Sequence, residues 1–322
     1  MRHWFTVIAM AALCACSSAP KPQLHSSINP ESPNGMLLAA VRDDDPTAAE
    51  KALAMGAEAD LRLTGGATPL IMAVELGSIE AADLLLARGA NPNKARGDGL
   101  TPMMAAALAG NEKVVESLIA HKANILAADN SGATPLHAAA LKGHERALKA
   151  LIGAGAAVDA QDKQGLTALF MASEKGSRRV VEALLNAKAN PNLPSGSGHT
   201  PLMAAAQNGH EDAMETLIKN GAALNLQTNK GATAAIIAAE YGQYRALDLL
   251  AQSGANLNIK DSTGATALMI AAHKGNQDVV DFLLSSGADV KVRSLAGHTA
   301  ADYAKAGGHD KLAAELEKAL SR

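Results

Sequence analysis

Cysteine, aromatic residues and excess positive charge are all scarce in this chain of 322 residues. Its only cysteines are Cys14 and Cys16, both near the N-terminus, so packing rather than disulfide bonds must stabilise the folded part. The formal net charge is −3 and no basic stripe is present. Binding to nucleic acid is therefore not expected, because it depends on clustered lysine and arginine.

Glycine, in contrast, recurs with a fixed spacing. A threonine follows each of these glycines two positions later, and a second glycine stands nine residues after each threonine, without any insertion. Such regularity predicts a chain built from one short structural repeat. The three series are Gly66, Gly99, Gly132, Gly165, Gly198, Gly231, Gly264 and Gly297; Thr68, Thr101, Thr134, Thr167, Thr200, Thr233, Thr266 and Thr299; and Gly77, Gly110, Gly143, Gly176, Gly209, Gly242, Gly275 and Gly308.

Each repeat carries the signals of a turn followed by two helices. In residues 162–165 an aspartate at the first position and a glycine at the fourth favour a type I turn. The threonine is a suitable N-cap, and in four repeats a proline follows it, as Pro135 follows Thr134. The second glycine ends this first helix in a left-handed conformation, and apolar residues such as Val114 and Leu118 then predict a second helix.

The period and the sequence TPLHAA at positions 134–139 resemble the ankyrin repeat. The resemblance implies an all-α fold, an ankyrin-repeat solenoid in which each repeat contributes a β-hairpin-like turn and a helix–turn–helix. Each repeat then buries its apolar face only against its neighbours. The resemblance also implies protein binding through the concave face, which is built from the hairpin tips and the exposed ends of the first helices.

No arrangement typical of an enzyme or a metal site is found. The tight glycine clusters all fall at repeat positions, so no phosphate-binding loop remains. His137 occupies the histidine position of TPLHAA, where the resemblance implies a structural hydrogen bond between hairpins. No tight cluster of His, Asp and Glu accompanies the other histidines. We therefore expect no catalytic activity, no metal and no cofactor, with assembly of a site from distant repeats left open.

An acidic run at residues 43–45 has a simpler explanation than calcium binding. Asp45 is a suitable N-cap, and Pro46 is suited to the first position of the following helix. We therefore expect this run to begin the second helix of the first repeat.

The repeat domain is predicted to cover residues 33–322. Residues 33–65 form a degenerate N-terminal repeat, residues 66–296 form seven full repeats, and residues 297–322 form a C-terminal capping repeat. Terminal repeats are atypical because one of their faces meets water rather than a neighbour.

Three places in the domain depart from the pattern. Lys122 and Lys188 replace the glycine that ends the second helix elsewhere, which predicts two lysines in a left-handed conformation. The loop 190–198 is rich in proline, glycine and serine and lacks the turn aspartate. We expect this loop to be mobile or to become ordered on a partner.

The N-terminus is predicted to be an export signal. A short basic head precedes the apolar residues 4–13, which are too few for a spanning helix, so residues 1–15 are interpreted as a signal peptide. The segment 13–16 resembles the lipobox of bacterial lipoproteins, with Cys16 as the lipidated residue. Ordinary cleavage near Ala19, with Cys16 left in the leader, is the alternative.

Residues 16–32 are interpreted as the lipidated cysteine followed by a disordered tether. Ser17 rather than aspartate follows Cys16, which resembles lipoproteins sorted to the outer membrane. The expected location is thus the cell envelope, in the outer membrane and facing the periplasm. A soluble periplasmic protein is the alternative.

The two residues before the second glycine of each repeat vary, whereas the positions around them do not, as expected for a binding face. We name this series the inner row. Tyr241 is its best single anchor, because aromatic residues make up only 2% of the chain. The predicted partner-binding residues are Leu76, Leu108, Leu141, Lys142, Glu174, Lys175, Gln207, Asn208, Glu240, Tyr241, His273 and Lys274, with His199, Asn229 and Lys230 at the hairpin tips.

The leading hypothesis is an envelope-anchored scaffold that binds a protein partner through the concave groove. It touches the membrane only through its lipid anchor and is a monomer. Two alternatives stay open: an immunity protein that neutralises a toxin acting in the periplasm, and a protective or chaperone-like factor for a periplasmic enzyme. A toxin gene beside this one would favour immunity.

Overall fold

The computed structural model describes residues 28–321, and this part of the chain is entirely helical between its turns. The predicted signal peptide, Cys16 and most of the predicted tether lie outside the described residues. The helices are α1 (Pro33–Arg42), α2 (Pro46–Ala54), α3 (Pro69–Leu76), α4 (Ile79–Ala87), α5 (Pro102–Ala109), α6 (Glu112–Ala120), α7 (Pro135–Lys142), α8 (Glu145–Gly153), α9 (Ala168–Glu174), α10 (Arg178–Asn186), α11 (Pro201–Asn208), α12 (Glu211–Lys219), α13 (Ala234–Glu240), α14 (Tyr244–Gln252), α15 (Ala267–Lys274), α16 (Gln277–Ser285), α17 (Ala300–Ala306) and α18 (Asp310–Leu320), with a 3₁₀ turn at Thr64–Gly66.

These helices form consecutive antiparallel pairs in two compact units, whose described residues are 28–163 and 164–321. We call the odd-numbered helices inner and the even-numbered helices outer. Within each unit, an inner helix packs against the next inner helix. Outer helices α2 to α8 of the first unit and α10 to α16 of the second stack in the same way. The predicted all-α class is therefore confirmed.

The inner helices form the core because almost all of their side chains are apolar and small. In α5, Met103, Met104 and the three alanines that follow are at most 4% exposed. Alanine at these positions lets neighbouring helices approach closely. The outer helices bury only one face, as α6 does with Val114 and Leu118, while Glu116 on the same helix is exposed.

The predicted helix ends are confirmed by the backbone. Thr101 lies in an extended conformation at the N-cap of α5, and its Oγ1 accepts a hydrogen bond of 3.2 Å from the N–H of Met104. In α7 the ring of His137 lies over the cap, and its Nδ1 accepts from the N–H of Thr134 at 3.1 Å. Gly110 closes α5 with φ of 71°, which glycine adopts without a Cβ clash.

Among residues 28–321, three residues other than glycine also have positive φ. Lys122 (59°) and Lys188 (68°) confirm the prediction from the missing glycines, and both are exposed. The third is Asp44 (50°), which stands in the first repeat where later repeats have the glycine that ends the inner helix. Its Oδ1 accepts a hydrogen bond of 2.9 Å from the N–H of Ala81 in α4, so Asp44 connects the first repeat to the second. Asp45 caps α2 as predicted.

The serine-rich loop has the same hydrogen-bonded turn as the other repeats. Ser195 takes the position of the turn aspartate, and its N–H donates to the carbonyl of His199 at 2.8 Å. Its Oγ accepts from the N–H of His199 at 3.2 Å, as Oδ1 of Asp129 does from Ala133. A hydroxyl therefore closes this turn in place of the carboxylate found in other repeats. The prediction that the loop is mobile or becomes ordered on a partner stays a prediction.

Replacing Lys188 with glycine should stabilise the protein. The left-handed backbone strain is removed, while glycine adds entropy to the unfolded chain, so we expect a net gain of about 0.5–1 kcal/mol in the free energy of unfolding. Urea denaturation measures this gain. Lys188→Ala keeps the Cβ and the strain, and an equal gain in that variant would show that removal of the lysine charge is the cause.

Candidate protein-binding surface

The hairpin tips of successive repeats are joined by main-chain hydrogen bonds. In the first unit the N–H of Lys163 donates to the carbonyl of Ser131 at 3.0 Å. In the second unit Ser262 donates to Lys230 at 2.9 Å and Leu295 to Thr263 at 3.0 Å. The backbone of each tip is thus held in place by its neighbour, and the tip side chains project from a fixed frame.

The ends of the inner helices are fixed in a similar way by a residue that sequence analysis left without a role. In the repeats with His144, His210 and Gln243, the residue after the second glycine reaches back to the previous inner helix. His144 Nε2 lies 3.0 Å from the carbonyl oxygen of Leu108, His210 Nε2 lies 3.0 Å from that of Glu174, and Gln243 Nε2 donates to that of Gln207 at 3.0 Å. These bonds satisfy carbonyls that the helix itself leaves open.

This contact requires the glycine of the previous repeat. A Cβ built on Gly110 would lie 2.5 Å from the ring of His144, and one on Gly176 would lie 2.5 Å from that of His210. Gly155, which ends an outer helix with φ of 94°, has nothing within 4 Å of such a Cβ. At Gly110 and Gly176 the glycine is therefore required by packing as well as by its backbone angle, whereas at Gly77 nothing lies within 4 Å of such a Cβ and only the backbone angle requires glycine.

In the first unit the inner row is mainly apolar, but one of its predicted contact residues belongs to the core. Leu141 is only 4% exposed, so the prediction that it is free to bind a partner is wrong. Its side chain is covered by the scaffold, whereas Leu76 and Leu108 are half-buried and Lys142 is exposed. The spacing in the sequence cannot distinguish buried from exposed members of the row, because it does not show whether a side chain points towards the neighbouring helices or towards solvent.

An ion pair that sequence analysis missed lies at the start of this row. Arg96 Nη1 is 2.8 Å from Oε1 of Glu75, and Arg96 also contacts Asp98. The Arg96 side chain is only 12% exposed. Burial raises the pKa of the Glu75 carboxyl, although Arg96 opposes that shift. The sequence did contain a signal for this ion pair, because Arg96 stands where other repeats have the turn aspartate, such as Asp129 in the next repeat.

In the second unit the first residue of each inner-row pair is half-buried and the second is exposed, so that acidic side chains lie deeper than the lysines. Glu174 and Glu240 are half-buried, whereas the next residue in each pair is exposed: Lys175 beside Glu174, and Tyr241 beside Glu240, with 39% of its surface accessible. The other two pairs follow the same rule, with Gln207 and His273 half-buried and Asn208 and Lys274 exposed.

Several of these side chains are held by scaffold contacts. Asn208 Nδ2 donates to the carbonyl of Ala204 at 2.9 Å. His273 Nδ1 lies 3.3 Å from the carbonyl oxygen of Tyr303, and the two rings meet edge to face with centroids 6.5 Å apart. These contacts reduce the side-chain entropy that a partner would have to remove on binding.

The predicted tip residues differ in exposure. His199 is half-buried, with Nδ1 2.8 Å from Oγ of Ser197, and burial together with nearby Lys230 lowers the pKa of its ring. Asn229 is exposed and donates to the carbonyl of Gly196 at 3.0 Å. Lys230 is exposed. Leu295, which sequence analysis did not single out, is 80% exposed at the last tip.

The half-buried carboxylates Glu174 and Glu240 have raised pKa values. Burial raises the pKa of Glu174, opposed by Lys175 and His210, and raises that of Glu240, opposed by Lys274 and Lys230. Lys274 Nζ lies 3.8 Å from Glu240 Oε1. Burial and the charge of Glu240 also raise the pKa of Tyr241. The acidic groups thus lie beneath lysines that reach further into solvent.

Among residues 28–321, no three or more His, Cys, Asp or Glu side chains are arranged to hold a metal ion. No helix in this part of the chain is both long and apolar enough to cross a membrane.

The difference in stability between the Glu174→Gln variant and wild type should depend on pH in a defined direction. A raised folded-state pKa means that, above the ordinary value of 4.5, the folded chain binds a proton more readily than the unfolded chain. Wild-type stability contributed by Glu174 therefore falls as pH rises through this window. We expect the variant to be more stable than wild type at pH 7, and the difference to close below pH 4.5.

Urea denaturation across this pH range tests the expectation. Glu215→Gln, on the exposed side of α12, removes the same charge and serves as the control. A variant difference for Glu174→Gln that stays constant with pH would contradict it.

Comparison with known proteins agrees with the geometry. The family model for ankyrin repeats (3 copies) matches in overlapping stretches at residues 36–129, 89–162, 124–195, 171–261, 202–294 and 238–317. No curated relative matches the chain. The crystal structure of the human ASB11 ankyrin repeat domain is similar, with 27% identity and a TM-score of 0.61 over 67% of this chain and 98% of that one. The family that matches is defined by a repeat rather than by a catalytic site, and the chain belongs to the ankyrin-repeat family.

Proposed function

We propose that this protein is an envelope-anchored, non-catalytic scaffold that binds a protein partner through its inner row and hairpin tips. Ankyrin repeats typically mediate protein–protein interaction. The observation that carries the proposal is Tyr241, whose side chain is 39% exposed at the end of α13. Tyrosine at such a position offers a large contact area at a low cost in side-chain entropy.

The frame around Tyr241 supports this role. Lys230 and Ser262 are joined by a main-chain hydrogen bond, and the Gln207 carbonyl accepts from Gln243. A surface fixed in this way loses little freedom when a partner docks. Side chains can therefore vary along the inner row without disturbing the stack that presents them.

Tyr241→Ala should reduce partner capture about tenfold, as expected for loss of a hot-spot residue. The measurement is a pull-down from periplasmic extract with equal amounts of wild type and variant, quantified by mass spectrometry. Tyr244→Ala is the matched control, because Tyr244 is 45% exposed but lies on outer helix α14, edge to face with Phe282 at 4.9 Å.

Only proteins that are lost with Tyr241→Ala and retained with Tyr244→Ala support the proposal. If wild type, Tyr241→Ala and Tyr244→Ala all capture a partner equally, the partner binds at another part of the surface. Thermal melting of both variants controls for unfolding.

The envelope location rests on the N-terminal sequence. The apolar residues 4–13 followed by a lipobox-like segment that ends at Cys16 support export and lipidation. A lipid-modified Cys16 would attach the repeats to the membrane through the tether that follows it. Because a single acyl chain holds a protein only weakly, stable attachment requires more than one chain.

Cys16→Ser should therefore release the protein from the membrane fraction and abolish labelling by a radioactive fatty acid. Cys14→Ser is the control and should keep both properties. If Cys16→Ser stays in the membrane fraction, the anchor is not at this residue. If both variants and wild type are soluble in the periplasm, the protein is exported without a lipid.

A further inference from the structure

We propose that the inner row of the second unit binds an extended, acidic segment of its partner, with one apolar or aromatic residue of that segment seated against Tyr241. This inference rests on the proposed function and specifies the chemistry of the partner. The observation that carries it is the layering of charge: Lys175, Lys230 and Lys274 are exposed, whereas Glu174 and Glu240 are half-buried.

A partner that approaches this surface meets the lysines first. Lys274 Nζ is 3.8 Å from Glu240 Oε1, and its side chain is 48% exposed against 15% for Glu240. The negative charge of Glu240 is therefore partly neutralised by Lys274. A basic segment would be repelled by the exposed lysines, which it meets before it reaches the carboxylates. An acidic segment is attracted to the same groups.

No exposed acid at the neighbouring tip offsets this attraction. Asp261 is turned into its own hairpin, where its Oδ1 accepts from the N–H and the hydroxyl of Thr263 at 2.8 and 2.6 Å and from the N–H of Ala265 at 2.8 Å. Lys175, Lys230 and Lys274 thus form a positive strip that is confined to this surface, since the chain as a whole carries a net charge of −3. Non-specific attraction to the entire protein does not explain selective binding of an acidic segment.

The repeat spacing gives the segment a register. Inner helices α9, α11, α13 and α15 pack in succession, and packed helices lie roughly 8–10 Å apart. An extended chain covers ~3.3 Å per residue, so one repeat corresponds to about three residues. An acidic residue over Lys274 should therefore stand about three residues from the apolar residue at Tyr241, and an acidic residue over Lys175 about six residues on its other side.

The test is selection of binding peptides from a random phage-displayed library, about twelve residues long and so longer than this span. The full chain in detergent is the target. Three proteins are compared: wild type, the triple variant Lys175→Glu, Lys230→Glu, Lys274→Glu, and a control triple variant Lys219→Glu, Lys311→Glu, Lys318→Glu. The control lysines are exposed on outer helices α12 and α18 of the same unit, so the change in net charge is the same.

We expect wild type and the control variant to enrich peptides with Asp or Glu in the stated register around one apolar residue. The best of these peptides, made synthetically, should bind the inner-row variant roughly tenfold more weakly or worse, and Tyr241→Ala similarly. Circular dichroism of the variants checks that the fold is retained.

The other outcomes overturn the inference in distinguishable ways. Enriched peptides that are basic or uncharged, but that depend on Tyr241, would leave the proposed binding surface standing and reject the acidic segment. Peptides that bind every variant equally, or no enrichment at all, would reject both. A thymidine oligonucleotide that binds as tightly as the best peptide and is lost in the inner-row variant would assign the strip to nucleic acid instead.

Discussion

The left-handed glycine at the end of an inner helix is the constraint on which most of the stack depends. It ends the helix, and it also leaves the space into which the next repeat places a side chain. At Gly176 a Cβ would lie 2.5 Å from the ring of His210, whose Nε2 reaches the carbonyl of Glu174. At this position one missing methyl group thus allows both helix termination and contact between neighbouring repeats.

This arrangement separates the scaffold from the binding surface. The main-chain atoms around each second glycine are held by the neighbouring repeat, whereas the two side chains before it are not needed to hold the backbone. The first unit accordingly carries leucines there, and the second unit carries lysines and Tyr241. Leu141 is the exception, because it is buried and belongs to the core. Different chemistry can therefore be displayed on the same backbone.

Sequence reasoning succeeded where the relevant interactions are local. N-caps, left-handed glycines and the strained Lys122 and Lys188 all depend on atoms within a few residues, so their signals are readable in the chain. It failed where a contact crosses between repeats or depends on side-chain rotation. His144 reaches the carbonyl of Leu108 in the previous repeat at 3.0 Å, and the pairing of Arg96 with Glu75 at 2.8 Å depends on side-chain rotation. A residue type at the turn position does not reveal which atom its side chain reaches.

By itself, the sequence determined that one helical module recurs through the chain, where its helices begin and end, and which short series of positions varies. Those features follow from backbone conformation and hydrogen bonds within a single repeat. Only the tertiary structure decided that Glu174 and Glu240 lie beneath exposed lysines and that Tyr241 remains accessible. Burial and charge layering arise from the packing of residues about one repeat apart, and no pattern within a single repeat specifies them.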